Sequence, residues 1–458
     1  MKNSKLLLNE PIMKLLVKYS VPAIIGMLVS ALYNVVDRMF IGNIPVVGAI
    51  AITGIGVTLP FVTILIAFSM LLGVGAAANI SIKLGQGERE SAEKIIGNTL
   101  TLSFIVGGII TILGLVFCDN ILIAFGASSE SLFYAKKYMW IILMGTIFNI
   151  AGYALNSTIR TDGSPKISAL IMVFSCMLNI ILDPLFIFTF NMGIEGAAYA
   201  TILSQTLTFV LTIIYYKSKK STMKLKKEFL KLDINISKLI FAIGVSPFIM
   251  QLITSLIQII NNNILKSYGG DYAIGAMATV NGIAMLCLMP IFGIAQGSQP
   301  IIGYNFGAKR YDRVKETVYK STVFATVLLT LAYLFVQFFP EFIIKTFNSD
   351  PNIVSISVRG LKIYSKCMPL IAAGMIGSQF FQAIGKAKVS LLLSLMRQAI
   401  LLIPITFILI RFIGLDGVWM AQPISDFFTV LVTSYFVIKE LRTFDIENNF
   451  DTVSEQWS

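Results

Sequence analysis

Three carboxylates, at Asp37, Asp183 and Asp426, lie inside long apolar stretches of the sequence. A carboxylate in the interior of a membrane costs about 3 kcal/mol or more, so it needs a proton, a cation or a basic partner. The 458-residue chain contains no histidine, which excludes imidazole metal ligands and histidine proton relays. We therefore expect these three residues to handle any ion that the protein binds.

Asp183 has neighbours that suit the binding of a small ion. Asn179 lies four residues earlier and hence on the same helix face, and Pro184 follows directly. Proline lacks an N–H, so it should kink the helix and free the carbonyl of residue 180. A carboxylate, an amide and a free carbonyl suit a proton or a dehydrated cation such as Na⁺. The alternative is a buried Asp183 held by fixed hydrogen bonds.

Asp37 lies three residues after Asn34, so these two side chains share a helix face. Pro22 should kink the same helix about four turns earlier. Arg38 is the next residue, but adjacent residues point apart on a helix, so we do not expect it to neutralise Asp37. The alternative is an ion-paired Asp37 near the outer end of its span.

Arg397 and Asp426 lie at similar depth in two predicted helices. One interpretation is a structural ion pair. The other is that Asp426 contacts a cationic substrate, which needs an anionic partner.

A minority of the 33 phenylalanines and 19 methionines is expected to contact substrate rather than lipid. Flexible thioethers and aromatic faces suit flat cations of varied shape. The side chains predicted to line a substrate cavity, besides Asp426 and Arg397, are Met27, Tyr33, Asn34, Asn156, Met172, Met285 and Met289.

The composition predicts an all-α membrane protein to position these residues. Hydrophobic residues make up 56% of the chain and charged residues 13%, against about 45–50% and about 25% in soluble domains. One core cannot bury such an excess, so helices must face lipid. The twelve predicted spans are 12–40, 50–78, 95–118, 134–155, 167–190, 196–216, 239–265, 274–299, 317–338, 356–383, 389–411 and 417–438.

The basic residues indicate how the spans are oriented. Most of the 36 lysines and arginines fall at the two termini and in the loops that share their side of the membrane. By the positive-inside rule we expect a multi-pass protein of the cell membrane with both termini in the cytoplasm. The basic segment 217–237 is then a cytoplasmic linker. Its charge favours a solvated segment near anionic headgroups and not a nucleic-acid site.

The two halves of the chain repeat each other in sequence. The segments 20–42, 73–94, 162–170 and 193–200 align, in order and at nearly constant offset, with 245–267, 295–316, 384–392 and 414–421. Each copy holds six spans, an even number, so both copies cross the membrane in the same sense. They are then two six-helix lobes related by a pseudo-twofold axis along the membrane normal.

The repeat predicts the domain organisation and where the ion site lies. We expect an N-lobe at 1–216, the linker at 217–237, a C-lobe at 238–440 and a short cytoplasmic tail at 441–458. In the alignment Asp37 corresponds to Asn262, and Asp183 falls near Pro404. Because the second copy lacks both acids, ion chemistry should lie in the first lobe.

The repeated blocks resemble the multidrug and toxic compound extrusion (MATE) family over essentially the whole chain. The similarity is greatest to the bacterial DinF/MepA-like branch. The blocks that carry it are YNVVDRMFIG at 33–42, GVGAAANISIKLGQGERESAE at 73–93, NSTIRTDGSPK at 156–166, LNIILDPLFIF at 178–188, GIEGAAYAT at 193–201 and QGSQPIIGYNFGAKRYDRVKE at 296–316.

The resemblance implies a secondary transporter and not an enzyme. It implies export of bulky, often cationic, aromatic drugs in exchange for inward protons or sodium ions, by rocking of the two lobes. Asp183 and Asn179, with Thr201 of span six, would belong to the first-lobe ion site. Asp37 would sense protonation and be linked to bending of its helix. No cofactor beyond H⁺ or Na⁺ is expected, and the protein is expected to be a monomer in the bilayer.

Other functions fit the sequence less well. A flippase for lipid-linked or polysaccharide precursors, from the same superfamily, would need a wide cationic cavity for phosphates, whereas the intramembrane charges here are mainly acidic. A membrane enzyme would need paired catalytic groups, and a channel would need a repeated filter ring. The sequence also lacks a P-loop, which excludes ATP hydrolysis through that motif by this chain.

Overall fold

The computed structural model describes residues 2–44, 48–347 and 350–456. Within these ranges the chain is almost wholly helical and contains no β-strand. The predicted all-α class is therefore confirmed. The α-helices are α1 Lys2–Asn9, α2 Ile12–Gly42, α3 Gly48–Gly85, α4 Arg89–Val116, α5 Cys118–Ala124, α6 Ser129–Thr161, α7 Pro165–Pro184, α8 Gly193–Lys217, α9 Ile234–Gly307, α10 Tyr311–Phe338, α11 Pro340–Lys345, α12 Pro351–Tyr364, α13 Met368–Ala383, α14 Ala387–Leu395, α15 Ile403–Ile413 and α16 Leu415–Gln456.

Eleven helical stretches of the described chain are long and apolar enough to cross a membrane. The predicted tenth span, 356–383, differs because it consists of α12 and α13, of 14 and 16 residues, separated at 365–367. Pro369 lies in the first turn of α13, where its missing N–H costs no helical hydrogen bond, so a new helix begins there. When these two helices are counted as one broken span, the described part of the chain has twelve candidate spans, as predicted.

Two predicted breaks take a different form from the one expected. The gap between the predicted spans 239–265 and 274–299 lies within α9, where Gly270 has non-helical backbone angles (φ 62°, ψ −159°) that glycine tolerates best. Pro184 ends α7, and a π-helical turn, Leu185–Thr189, follows it. A second π-helical turn, Met396–Leu402, joins α14 to α15. Such turns are frequent at functional sites.

The chain forms two compact units whose bounds differ from those of the predicted lobes. The first comprises Met1–Leu8 and Ile25–Leu252, and the second comprises Asn9–Ile24 and Ile253–Ser458. The first half of α2 therefore belongs to the second unit. The linker segment 217–237 and the beginning of α9 belong to the first unit.

Glycines allow α3 and α9 to pack closely within the first unit. A Cβ added at Gly244 would lie 1.8 Å from the Leu71 carbonyl oxygen, and one added at Gly75 would lie 2.1 Å from that of Ile240. Side chains at these positions would force the two backbones apart. Small residues commonly permit such contacts between membrane helices.

The linker segment 217–237 is docked on the first unit and is not freely solvated. Asp162, just after α6, accepts hydrogen bonds from Tyr215 Oη (2.6 Å), Ser221 Oγ (2.8 Å) and the Thr222 N–H (3.0 Å). Ser221 and Met223 are buried as a result. The expectation of a solvated linker is therefore wrong for this part of the segment.

Glu93, on α4, holds the next part of the linker segment. Its carboxylate is 4% exposed, accepts from the Lys224 N–H (3.0 Å) and pairs with Lys226 Nζ (3.0 Å). Further along, Asn98 Oδ1 accepts from the Asp233 N–H (2.7 Å). Because buried acids and amides satisfy this backbone, the segment has a defined path along the first unit.

Polar and aromatic contacts hold the segment before α2 and the end of α16 within the second unit. Arg313 donates to the Glu10 carbonyl oxygen (2.6 Å), just before α2 begins. The predicted tail at 441–458 continues α16 as far as Gln456, and Phe444 stacks on Tyr311 with ring centroids 4.6 Å apart. The beginning of the tail is therefore packed helix.

Candidate functional site

The fold brings Asp37 and Asp183 together in the first unit. Asp37 is half-buried on α2, and Asp183 is completely buried near the end of α7. Their carboxyl groups lie close enough for a hydrogen bond between the two side chains. Asp37 Oδ1 and Asp183 Oδ1 are buried and receive no hydrogen bond from any other group in the described chain. Two ionised carboxylates in contact repel each other, so the pair must hold a proton or a cation.

Asn179 links Asp183 to α8. With the amide oriented to suit both neighbours, its Nδ2 donates to Asp183 Oδ2 (3.1 Å) and its Oδ1 accepts from the Thr201 N–H (3.2 Å). The Thr201 side chain hydrogen-bonds with Tyr138, which lies on α6. All four residues predicted to couple cations, Asp37, Asn179, Asp183 and Thr201, therefore lie in one connected cluster.

Two tyrosines complete the surroundings of the acid pair. Tyr33 and Tyr138 lie within electrostatic range of both carboxyl groups. Tyr33 was predicted to line a substrate cavity, and it lies beside the acids on the helix that carries Asp37. Sequence reasoning missed Tyr138, because a tyrosine in the middle of an apolar helix carries no motif that distinguishes it from a packing residue.

The other cavity predictions in the first unit fall in varied environments. Asn34 is exposed and donates to the Ser30 carbonyl oxygen of its own helix (2.7 Å). Asn156 is buried, and its Oδ1 has no donor in the described chain. Met172 packs on α2 beside Gly26, and Met27 is half-buried. Their contact with a substrate stays a prediction.

The other two methionines predicted to line a substrate cavity, Met285 and Met289, lie in the second unit. Met289 is half-buried on α9, and Met285 is 49% exposed. Pro22 lies inside α2, in the half of that helix that belongs to the second unit. The side chain of Asn262, the repeat counterpart of Asp37, lies outside those that the structure describes.

Arg397 and Asp426 form the ion pair that the sequence suggested. Arg397 Nε donates to Asp426 Oδ1 at 2.7 Å, and Gln422 Nε2 donates to the same oxygen at 3.1 Å. Ser425 Oγ bonds the Arg397 carbonyl oxygen (2.6 Å), in the π-helical turn. Asp426 is 2% exposed, and its Oδ2 has no partner in the described chain. The pair is neutral overall, and a role in substrate contact stays a prediction.

The similarity to known proteins extends over nearly the whole chain. A model of the MatE family matches residues 22–185 and 247–408. The multidrug export protein MepA of Staphylococcus haemolyticus (strain JCSC1435) is 29% identical over 444 residues, which cover 96% of this chain and 97% of that protein. MepA of Staphylococcus aureus (strain MSSA476) is 27% identical over 429 residues, with 94% of each chain covered.

Solved structures agree with these sequence matches. A MATE protein crystallised in complex with MaL6 has a TM-score of 0.91 at 26% identity, over 97% of this chain and 99% of that one. A MOP superfamily transporter from Pyrococcus furiosus matches with the same score and coverage at 25% identity, and the reversed polarity of its binding pocket is described as suggesting a different function.

The family match falls in both halves of the chain, and its two segments together make up more than half of the residues. Members of this family are transporters and not enzymes, and the apolar helices make this chain a multi-pass membrane protein. The chain belongs to the MatE family.

Proposed function

We propose that the protein is a secondary multidrug efflux transporter of the cell membrane, which exports bulky organic cations in exchange for inward protons or sodium ions. Family membership and the similarity to multidrug export proteins over nearly the full length support this proposal. The observation that carries the coupling mechanism is the contact between Asp37 and Asp183.

The contact suggests how an ion would be linked to movement. With one shared proton, the pair has a single negative charge and an attractive hydrogen bond. When the proton leaves, two like charges face each other, and at about 4 Å and an effective dielectric of about 20 their repulsion is about 4 kcal/mol. Deprotonation would therefore push α2 and α7 apart at this point, and protonation would bring them together.

The same contact favours the proton over sodium as the coupling ion. Two carboxyl groups this close can share one proton through a hydrogen bond, which needs no further ligand. A sodium ion would instead require the oxygens of Asp37, Asp183 and Asn179 to turn toward a common centre. Sodium coupling is the alternative that the transport experiment decides.

The remaining parts of the proposal rest on the sequence. The charge pattern supports cytoplasmic termini. The internal repeat supports alternating access by rocking of the two six-helix lobes. We propose a monomer that takes small-molecule drugs as substrates, with no nucleic-acid partner and no cofactor beyond the coupling ion. The acidic character of the first-unit site favours organic cations over the phosphate-bearing substrates of a flippase.

Transport by the purified protein in proteoliposomes tests the proposal. Efflux of a fluorescent cationic dye is followed while a pH gradient and a sodium gradient are imposed separately. We expect the pH gradient to drive dye accumulation, and a response to the sodium gradient alone would assign sodium instead. If neither gradient moves the dye, the proposed exchange is wrong, and movement of a labelled lipid-linked precursor would then identify a flippase.

A further inference from the structure

Arg160 is a buried arginine without an acidic partner. The predicted spans place it in a loop, but α6 extends to Thr161 and Arg160 is 8% exposed. In the described chain its guanidinium group forms no ion pair, and its one hydrogen bond joins Nη1 to Ser168 Oγ at 3.4 Å. This distance is long for a hydrogen bond. The five N–H donors thus have one weak neutral acceptor in the described chain, and no acid pairs with this largely buried cation.

The acid nearest in sequence does not supply the missing charge. Asp162 lies two residues after Arg160, but its carboxylate accepts from Tyr215, Ser221 and Thr222 and holds the linker segment. No acidic side chain of the described chain forms an ion pair with Arg160, and the Tyr153 phenol beside it is neutral. The site has an excess of positive charge that the protein itself leaves unbalanced.

The groups around Arg160 also favour an anion. Ser168 lies in the first turn of α7, at the end of that helix where the N–H groups and the helix dipole attract negative charge. The N-cap residue, Ser164, makes no side-chain capping bond, and Lys166 is exposed in the same turn. Ser168 Oγ also donates to the Asn156 carbonyl oxygen (3.2 Å), which holds the last turns of α6 against the start of α7.

We propose that Arg160 and the first turn of α7 bind a phosphate group. A planar guanidinium matches two oxygens of a phosphate, and helix N-termini commonly complete such sites. Two sources have this chemistry. One is the headgroup of a phospholipid in the leaflet that meets this end of α6, and the other is free inorganic phosphate. The site is separate from the acid pair and does not depend on the proposed transport.

Binding is measured by the thermal unfolding of the purified full-length protein in an uncharged, phosphate-free detergent. One arm titrates inorganic phosphate at constant ionic strength. A second arm titrates short-chain phosphatidylglycerol, with the matching diacylglycerol as a phosphate-free control. We expect a saturable rise in the unfolding midpoint. Saturation with phosphate alone identifies the free ion as sufficient, and saturation with only the phospholipid identifies the headgroup.

Variants show whether Arg160 is responsible. Arg160→Gln should raise the half-saturating concentration of phosphate or phospholipid at least tenfold. Arg160→Lys keeps the positive charge but loses the paired donors of the guanidinium, so its effect should be intermediate. Lys219→Gln removes an exposed charge from the docked linker and should leave the titration unchanged. Equal half-saturation for wild type and Arg160→Gln would overturn the proposal. If Arg160→Gln does not fold, a wild-type protein without a saturable phosphate or phospholipid response overturns it equally.

Discussion

Replacing Asp183 by asparagine tests the coupling mechanism most directly. Asparagine has nearly the same volume and shape as aspartate, so it fits the completely buried position of Asp183. Its amide can still bond Asp37 and Asn179, so we expect the fold to be kept. The change removes one of the two facing acids. Asp37 can then ionise without an adjacent like charge, and the shared proton of the pair is lost.

The expected loss follows from the energy that a proton carries. For one-to-one exchange, a pH difference of one unit supplies about 1.4 kcal/mol, which supports a dye gradient of about tenfold. Without an exchangeable proton, Asp183→Asn should accumulate dye to a ratio of about one under the same pH difference. Binding of dye at equilibrium should remain, because the variant is impaired in coupling and not in folding.

The assay compares dye accumulation in proteoliposomes at several imposed pH differences. Asp312→Asn is a matched control, since Asp312 is a 59% exposed acid paired with Arg310, and it should transport as the wild type does. Asp37→Asn should reduce the pH dependence, whereas Asn262→Ala at the repeat-equivalent position should have much less effect. Wild-type accumulation by Asp183→Asn would refute the acid-pair mechanism, and a larger effect of Asn262→Ala than of Asp37→Asn would refute the first-lobe assignment.

Three further predictions concern packing, the second-unit ion pair and topology. Gly244→Ala should lower the free energy of unfolding by about 1–3 kcal/mol, because the new Cβ would meet the Leu71 carbonyl oxygen. Gly108→Ala is the control, since no atom lies within 4 Å of the added Cβ, and it should be neutral. Equal unfolding midpoints of the two variants in detergent would contradict this prediction. Arg397→Gln should lower the free energy of unfolding by about 3–5 kcal/mol, because it leaves Asp426 unpaired. Replacing both residues by apolar ones should restore the unfolding midpoint, and a midpoint that stays low would contradict this. A cysteine at Lys219 should react with an impermeant reagent only from the cytoplasm, and labelling from outside would reverse the predicted orientation.

Composition, repeat and spacing were enough to predict the fold class and to select Asp37, Asn179 and Asp183, whereas Thr201 was predicted from the family resemblance. The excess of apolar residues required membrane-facing helices, and eleven of the predicted spans correspond to long apolar helices. Asn179 was found because an interval of four residues places it on the same helix face as Asp183. Asp37 was found because few acids occur in apolar stretches, so each one calls for a partner.

Other features could not be predicted because they depend on contacts between residues far apart in sequence. The linker segment has the composition of a solvated loop, but the buried carboxylates of Asp162 and Glu93 accept its hydrogen bonds. Tyr138 joins the site only because α6 packs beside α8 and brings it to Thr201. Arg160 was assigned to a loop because the turn signal in RTDGSPK ended the predicted helix too early.

The two units neutralise their buried acids in different ways, and this difference explains why coupling should reside in the first. In the second unit Asp426 pairs with Arg397, whose guanidinium stays charged at any pH that a cell experiences. That pair balances its own charge without a mobile ion. In the first unit Asp183 faces Asp37, neither acid forms an ion pair in the described chain, and we propose that a mobile ion compensates them. Under the proposed mechanism, the repeated fold thus has one site that responds to an ion gradient and one site whose charge is balanced within the protein.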